Sequence, residues 1–174
     1  MATRKWGSEK LVNTNVPGHQ IDSHVAGLTG GGFVMVWRDD STVEATIRAQ
    51  RYDALGNRAG GEYVFYSQFV APGQVVSPAV TGLAGGGFYL TYTETFGLSS
   101  AILGHVYDAN GAFVRSQGIT PFGSYGNSEV ARLGAGSVVV WEDPSDSGGS
   151  TYLKVFDAAG AGGPAILVES SGSS

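Results

Sequence analysis

The sequence predicts an all-β protein built from three copies of one four-stranded unit. Of its 174 residues, 28 are glycine and only 14% are charged, a composition typical of short strands joined by tight turns. A glycine-rich run that ends in an aromatic residue occurs three times, at 31–37, 86–92 and 135–141. Sixteen residues after each of these aromatics stands an aspartate that follows another aromatic and precedes Ala-x-Gly: Asp53, Asp108 and Asp157. This constant spacing indicates one structural unit used three times.

Each unit is expected to contribute four strands. The first strands are predicted at 23–28, 78–83 and 128–133, and the second strands end at the repeated aromatic. The third strand runs into the aromatic-Asp pair, as at 46–52, and the Asp-Ala-x-Gly tetrapeptide then forms a hairpin turn. The aspartate begins that turn and the glycine supplies its positive φ. The fourth strands are predicted at 62–67, 117–120 and 165–169.

The three units cover about 18–67, 73–121 and 126–169 of a single repeat domain at 1–170. The Ser/Gly tail at 171–174 is expected to be disordered. Residues 6–14 read like the fourth strand of a unit whose other three strands are missing. They predict one extra N-terminal strand.

The repeat resembles the tandem β-propeller-like repeats of large secreted bacterial proteins, which often also carry hemolysin-type calcium-binding repeats. The matching stretches are 9–14 with Val-Asn-Thr, 28–37 with Gly-Gly-Phe-Val-Met-Val-Trp, and 47–56 with Gln-Arg-Tyr-Asp-Ala. The likeness is closest in the first unit and weakens in the third, where Ser137 replaces the phenylalanine. The resemblance implies a propeller-type arrangement and an extracellular or cell-surface setting, and it assigns no catalytic residue.

Three units are too few to close a propeller, since propellers typically have about four to eight blades. Open sheet faces and edges promote association. We therefore expect a homo-oligomer, with two chains forming six blades and the extra strand completing or swapping into a blade at the junction. The alternative is a monomer closed by threefold symmetry, a β-trefoil or a β-prism.

Bulk properties argue against several partners. The net charge is −5 and no basic stripe is present, so nucleic acid is not an expected partner. The chain has no cysteine, which excludes disulfides and thiolate chemistry. No apolar run is long enough to insert into a membrane, and the N-terminus lacks the pattern of a signal peptide.

Two repeated positions are candidate ligand-binding sites. The first carries the aromatic residues that end the second strands, which either present sugar-binding platforms or pack in the core: Trp37, Tyr92 and Trp141. The second lies two residues further on, in a predicted polar loop, and carries carboxylates: Asp39, Glu94 and Asp143. These carboxylates either bind sugar hydroxyls or a cation such as calcium, or only make the rim soluble. No other cofactor is expected.

The remaining polar residues carry no recognisable catalytic pattern. His19, His24 and His105 lack metal-ligand spacing, and no nucleophile elbow, phosphate loop or zinc motif is present. We therefore expect a protein that is not an enzyme. It is predicted to be a lectin-like or adhesive module that presents repeated loops, with glycans as candidate partners. The alternatives are a purely structural, self-assembling repeat and, ranked last, a hydrolase with paired carboxylates.

Overall fold

The structure is a computed structural model that describes residues 9–14, 17–67, 73–145 and 149–170. Twelve strands occupy the described residues, and no helix that could cross a membrane occurs there. The strands are β1 Gln20–Gly27, β2 Phe33–Asp39, β3 Thr46–Tyr52, β4 Tyr63–Phe65, β5 Gln74–Gly82, β6 Phe88–Phe96, β7 Ser99–Tyr107, β8 Phe113–Gly118, β9 Gly126–Leu133, β10 Gly136–Asp143, β11 Ser150–Phe156 and β12 Ile166–Ser170.

The strands form three separate four-stranded antiparallel sheets, each from one consecutive stretch of chain: β1–β4, β5–β8 and β9–β12. The all-β class and the three four-stranded units are therefore confirmed. We call these sheets unit 1, unit 2 and unit 3. Strand β5 packs against β1, β2 and β3, and β9 packs against β5 and β6. Unit 2 thus lies between the other two.

The constant sequence spacing has its origin in the register between the second and third strands. Phe33 pairs with Tyr52, Phe88 with Tyr107 and Ser137 with Phe156. A glycine precedes the first member of each pair, and a Cβ at Gly32, Gly87 or Gly136 would overlap the carbonyl oxygen of the paired aromatic. Close backbone approach therefore requires glycine at this position.

The hairpin turns after the third strands have the predicted geometry in all three units. The carboxylate of Asp108 accepts from the backbone N–H groups of Asn110 and Ala112, both at 2.8 Å. Gly111 donates to the Asp108 carbonyl oxygen at 2.9 Å and has a φ of 83°. Equivalent bonds form around Asp53 and Asp157. The turn aspartates therefore have the structural role expected of them.

Each first strand also contains an irregularity that the sequence did not reveal. Asp22, Ser77 and Asn127 occupy the same repeat position and all have positive φ, between 47° and 52°. The strand register shifts beside each of them. Left-handed backbone is uncommon for residues other than glycine, so its threefold recurrence marks a bulge that belongs to the unit itself.

The two junctions between units contain the hydrophobic core. Side chains alternate along a strand, so each sheet has two faces. One face, with Val34 and Val36 in unit 1, points in the direction of the next unit along the chain. The other, with Phe88 and Leu90 in unit 2, points back toward the preceding unit. We call these the forward face and the rear face. Forward-face residues of unit 1 and rear-face residues of unit 2 share one buried cluster, which includes Val34, Val36, Phe88 and Leu90. A second cluster joins unit 2 to unit 3.

The predicted extra N-terminal strand is wrong over the part that is described. Residues 9–14 belong to no strand, and residues 6–8 lie outside the described residues. The reason lies in their hydrogen bonds. The carbonyl oxygens of Leu11, Val12 and Asn13 accept from the guanidinium of Arg58 and not from the backbone of a neighbouring strand. The tail at 171–174 also lies outside the described residues.

Candidate functional site

The three aromatic candidates are buried. Trp37 is 4% exposed, Tyr92 1% and Trp141 4%. Tyr92 belongs to the core between units 1 and 2, and Trp141 to the core between units 2 and 3. Trp37 lies on the rear face of unit 1 and belongs to neither of these two core clusters. This placement agrees with the packing role and leaves no ring face presented as an open platform.

The three carboxylate candidates lie within strands, and the predicted polar loop is therefore wrong. The second strands continue past the aromatic because Asp39, Glu94 and Asp143 pair with residues of the third strands. Asp39 and Glu94 are 1% and 2% exposed, whereas Asp143 is half-buried. Equivalent positions in the repeat thus have unequal environments.

Each carboxylate has its own partners. Asp39 accepts from the Nε of Arg48 at 2.5 Å, and Glu94 accepts from the Ser67 hydroxyl at 2.6 Å. Asp143 accepts from the backbone N–H of Ser145 at 3.0 Å. Among the described residues no three His, Asp or Glu side chains come together in a way that could hold a metal ion.

Burial disfavours the charged form of four titratable side chains in unit 2. The Tyr92 hydroxyl lies 3.0 Å from the Nε2 of His105. Burial, reinforced by Glu94, raises the pKa of Tyr92, while burial lowers the pKa of His105 against the opposing effect of Glu94. Burial also raises the pKa of Tyr89 and of Tyr107 to about 12. His24 is at the surface, 3.9 Å from Glu129 of unit 3.

The most informative surface is the forward face of unit 3, which carries none of the six candidate residues. At the centre of the forward face, Val34 and Val36 of unit 1 are fully buried, and Tyr89 and Thr91 of unit 2 are at most 1% exposed. The register places Val138 and Val140 of unit 3 at the same positions, and both are partly exposed.

The rest of this face is open as well. Val155, which pairs with Val138, is 38% exposed, and Ile166 is 50% exposed. Val106 holds the position of Val155 in unit 2, where it is 8% exposed. Carboxylates border the apolar centre, since Glu129, Glu142 and Glu169 pair with residues of this face.

The rear face of unit 1 is different, because residues 9–14 cover part of it. Besides the bonds to Arg58, the Tyr52 hydroxyl donates to the Val12 carbonyl oxygen at 3.1 Å. The backbone N–H of Thr14 donates to Glu62 at 2.6 Å, and Glu62 in turn accepts from Arg48 at 3.1 Å. The N-terminal segment is therefore tied to the sheet at several points.

A small pocket lies at the junction of units 2 and 3. It has a volume of about 260 Å³, and its lining includes Tyr125, Trp141, Asp143 and Tyr152. The Trp141 and Tyr152 rings are stacked with centroids 5.9 Å apart. Of the six candidate ligand-binding residues, this pocket brings together only Trp141 and Asp143.

Comparison of this chain with protein-family models, with curated proteins and with solved structures finds no match, so its resemblance to the propeller-like bacterial repeats stays a prediction.

Proposed function

We propose that this chain is a non-catalytic, self-assembling structural module. Its three units are blades of a propeller-type fold, and it pairs with a second copy through the forward face of unit 3. One observation carries this proposal: the forward face is buried under a neighbour in units 1 and 2 and is open in unit 3.

The chemistry of the open face suits a sheet partner. Its centre holds the aliphatic side chains of Val138, Val140 and Leu153, and the equivalent positions in unit 1 belong to a buried core. Burying apolar surface contributes about 25 cal/mol per Å². A partner that covers this face therefore forms a third junction, held together by the same apolar packing that joins the units within the chain.

The second copy is expected to present its own unit 3. The rear face of unit 1 is already partly covered by residues 9–14, so each chain offers one open forward face. One open apolar patch per chain leads to a twofold dimer, the commonest symmetric assembly. Such a dimer contains six blades, the number expected from the sequence. The face-to-face arrangement differs from the head-to-tail ring that the extra strand suggested.

The oligomeric state tests the proposal. We expect light scattering at micromolar concentration to give twice the 18.0 kDa of one chain. The double variant Val155→Glu/Ile166→Glu should be a folded monomer, because it places charges on the open face. Val43→Glu is the matched control, since Val43 is 98% exposed on unit 1, and it should remain a dimer. A monomeric wild-type chain would overturn the proposal.

A lectin-like or adhesive function is the second candidate, and the pocket at the junction of units 2 and 3 favours it. The partly exposed Tyr152 ring beside the Asp143 carboxylate suits a saccharide, which needs an apolar surface together with hydrogen-bond acceptors. A glycan array with and without calcium tests this candidate. Asp143→Asn should weaken any binding found, and Glu142→Gln, on the other face of the same strand, should not. Silence across a broad array would remove it. The extracellular setting remains a prediction from the resemblance.

A further inference from the structure

We infer that residues 9–14 act as a cap on the rear face of unit 1, with contacts like those that unit 1 makes to the rear face of unit 2, and that this face is a binding surface for a peptide of that kind. The inference stands on a comparison between this contact and the two junctions inside the chain. It rests on the proposed function only in what it says about assembly.

In each unit, carbonyl oxygens of the hairpin turn accept hydrogen bonds from the part of the chain that covers the rear face. The turn of unit 2 accepts at the Gly111 carbonyl oxygen from the Tyr63 hydroxyl of unit 1, at 2.9 Å. It also accepts at Ala109 from Arg51 of unit 1, at 2.6 Å. The turn of unit 3 accepts at Ala159 from Arg115 of unit 2. A donor from the preceding unit is thus present at both junctions.

At unit 1, the segment 9–14 supplies the equivalent donor. The Lys10 ammonium donates to the Gly56 carbonyl oxygen at 3.2 Å. Gly56 holds the same place in its Asp-Ala-x-Gly turn as Gly111 holds in unit 2. Lys10 therefore occupies the position that the Tyr63 hydroxyl occupies at the next junction.

The aromatic pair beneath the segment is also shared with the next junction. Phe33 and Tyr52 stack with ring centroids 4.8 Å apart on the rear face of unit 1. Phe88 and Tyr107 stack at 4.6 Å on the rear face of unit 2, where the Tyr63 ring packs edge-on against both. In unit 1 the Tyr52 hydroxyl instead donates to the segment.

Unit 1 contacts the backbone of residues 9–14 more than their side chains. Arg58 donates to three successive carbonyl oxygens, with 2.8 Å to Val12 the shortest distance, and Leu11 itself is 67% exposed. Backbone carbonyls are available in any peptide, so affinity comes from the main chain and register from Lys10. The surface therefore fits a peptide that carries a lysine near its start and turns three successive carbonyls toward Arg58.

On the proposed function, the cap also limits assembly to two copies. With residues 9–14 in place, a chain offers one open face. Without them it offers two unlike faces, and head-to-tail contacts between unlike faces continue into rings or open chains. The segment therefore limits growth at the unit 1 end.

Binding in trans tests the inference directly. We expect the chain lacking residues 1–14 to bind a synthetic peptide of residues 1–14 in calorimetry. Arg58→Ala in that chain should weaken the peptide at least about tenfold, because it removes charge-assisted hydrogen bonds. Arg132→Ala is the control, since Arg132 bonds to Thr29 and not to the segment. A folded truncated chain that does not bind the peptide would overturn the inference.

The same peptide experiment separates this inference from the proposed function. The truncated chain that also carries Val155→Glu/Ile166→Glu cannot pair through unit 3, yet it should still bind the peptide. In the background without those changes, truncation should raise the mass above that of the full chain, and added peptide should lower it again. A mass that truncation leaves unchanged would contradict the capping role.

If the truncated chain does not fold, the full chain still provides a test. Arg58→Ala should speed tryptic cleavage after Lys10, measured by mass spectrometry, because the segment leaves the sheet more often. Arg132→Ala should leave that rate unchanged. Equal cleavage rates in the wild type and in Arg58→Ala would overturn the inference.

Discussion

The hydroxyl of Tyr63 in unit 1 donates to the carbonyl oxygen of Gly111 in unit 2 at 2.9 Å. The bond joins the last strand of one sheet to the hairpin turn of the next, above the core that the two units share. We expect Tyr63→Phe to lower the free energy of unfolding by about 1 kcal/mol, because the ring still packs and only the hydrogen bond is lost. Urea denaturation measures it. Tyr66→Phe, at a side chain 63% exposed, should have no effect, and equal losses in both variants would contradict this role.

Stability should decrease at mildly acidic pH because of His105. Burial lowers its pKa below the ordinary 6.5, so the folded protein resists the proton that the unfolded chain takes up. As the pH falls through about 6.5, protonation therefore favours the unfolded state. Urea denaturation at several pH values should show this decline in the wild type and a flatter profile in His105→Gln. His19→Gln, at an exposed histidine, should keep the wild-type profile.

The first turn should give a separate dependence at lower pH. Hydrogen bonds from the backbone and then the side chain of Asn57 lower the pKa of Asp53 below its usual 3.8. A lowered carboxylate pKa contributes stability above the unfolded value, and this contribution is lost as the pH falls through the folded value. Asp53→Asn keeps an acceptor without the charge, so its stability should change less over this acidic range. Thermal melts at several acidic pH values measure this change. If the melting temperatures of the wild type and of Asp53→Asn fell equally with pH, the prediction would be contradicted.

Glycine should be required at position 87, directly before Phe88, but not at position 85. A Cβ at Gly87 would overlap the Tyr107 carbonyl oxygen, whereas a Cβ at Gly85 meets nothing within 4 Å. We expect Gly87→Ala to lower the free energy of unfolding by about 2 kcal/mol, because the two strands must separate. Gly85→Ala should stay within about 0.5 kcal/mol of the wild type. Chemical denaturation of the pair checks the difference.

The sequence by itself determined the repeat, the strand count of each unit and the hairpin turns. These features depend on contacts close along the chain. The register of Phe88 with Tyr107 requires the glycine before Phe88, and the bonds of Asp108 close within four residues. Local geometry of this kind leaves a residue pattern that can be read directly, and it recurred three times.

Only the tertiary structure decided which faces are covered. The pattern of Phe33 to Trp37 is much like that of Phe88 to Tyr92, yet one rear face meets a neighbouring unit and the other a short N-terminal segment. The carboxylate after each aromatic repeats in sequence, but Asp39 pairs with Arg48 while Asp143 caps its own turn. Burial depends on what the fold brings from distant parts of the chain. Unit 3 keeps the residue pattern of unit 2 although no other described unit covers its forward face.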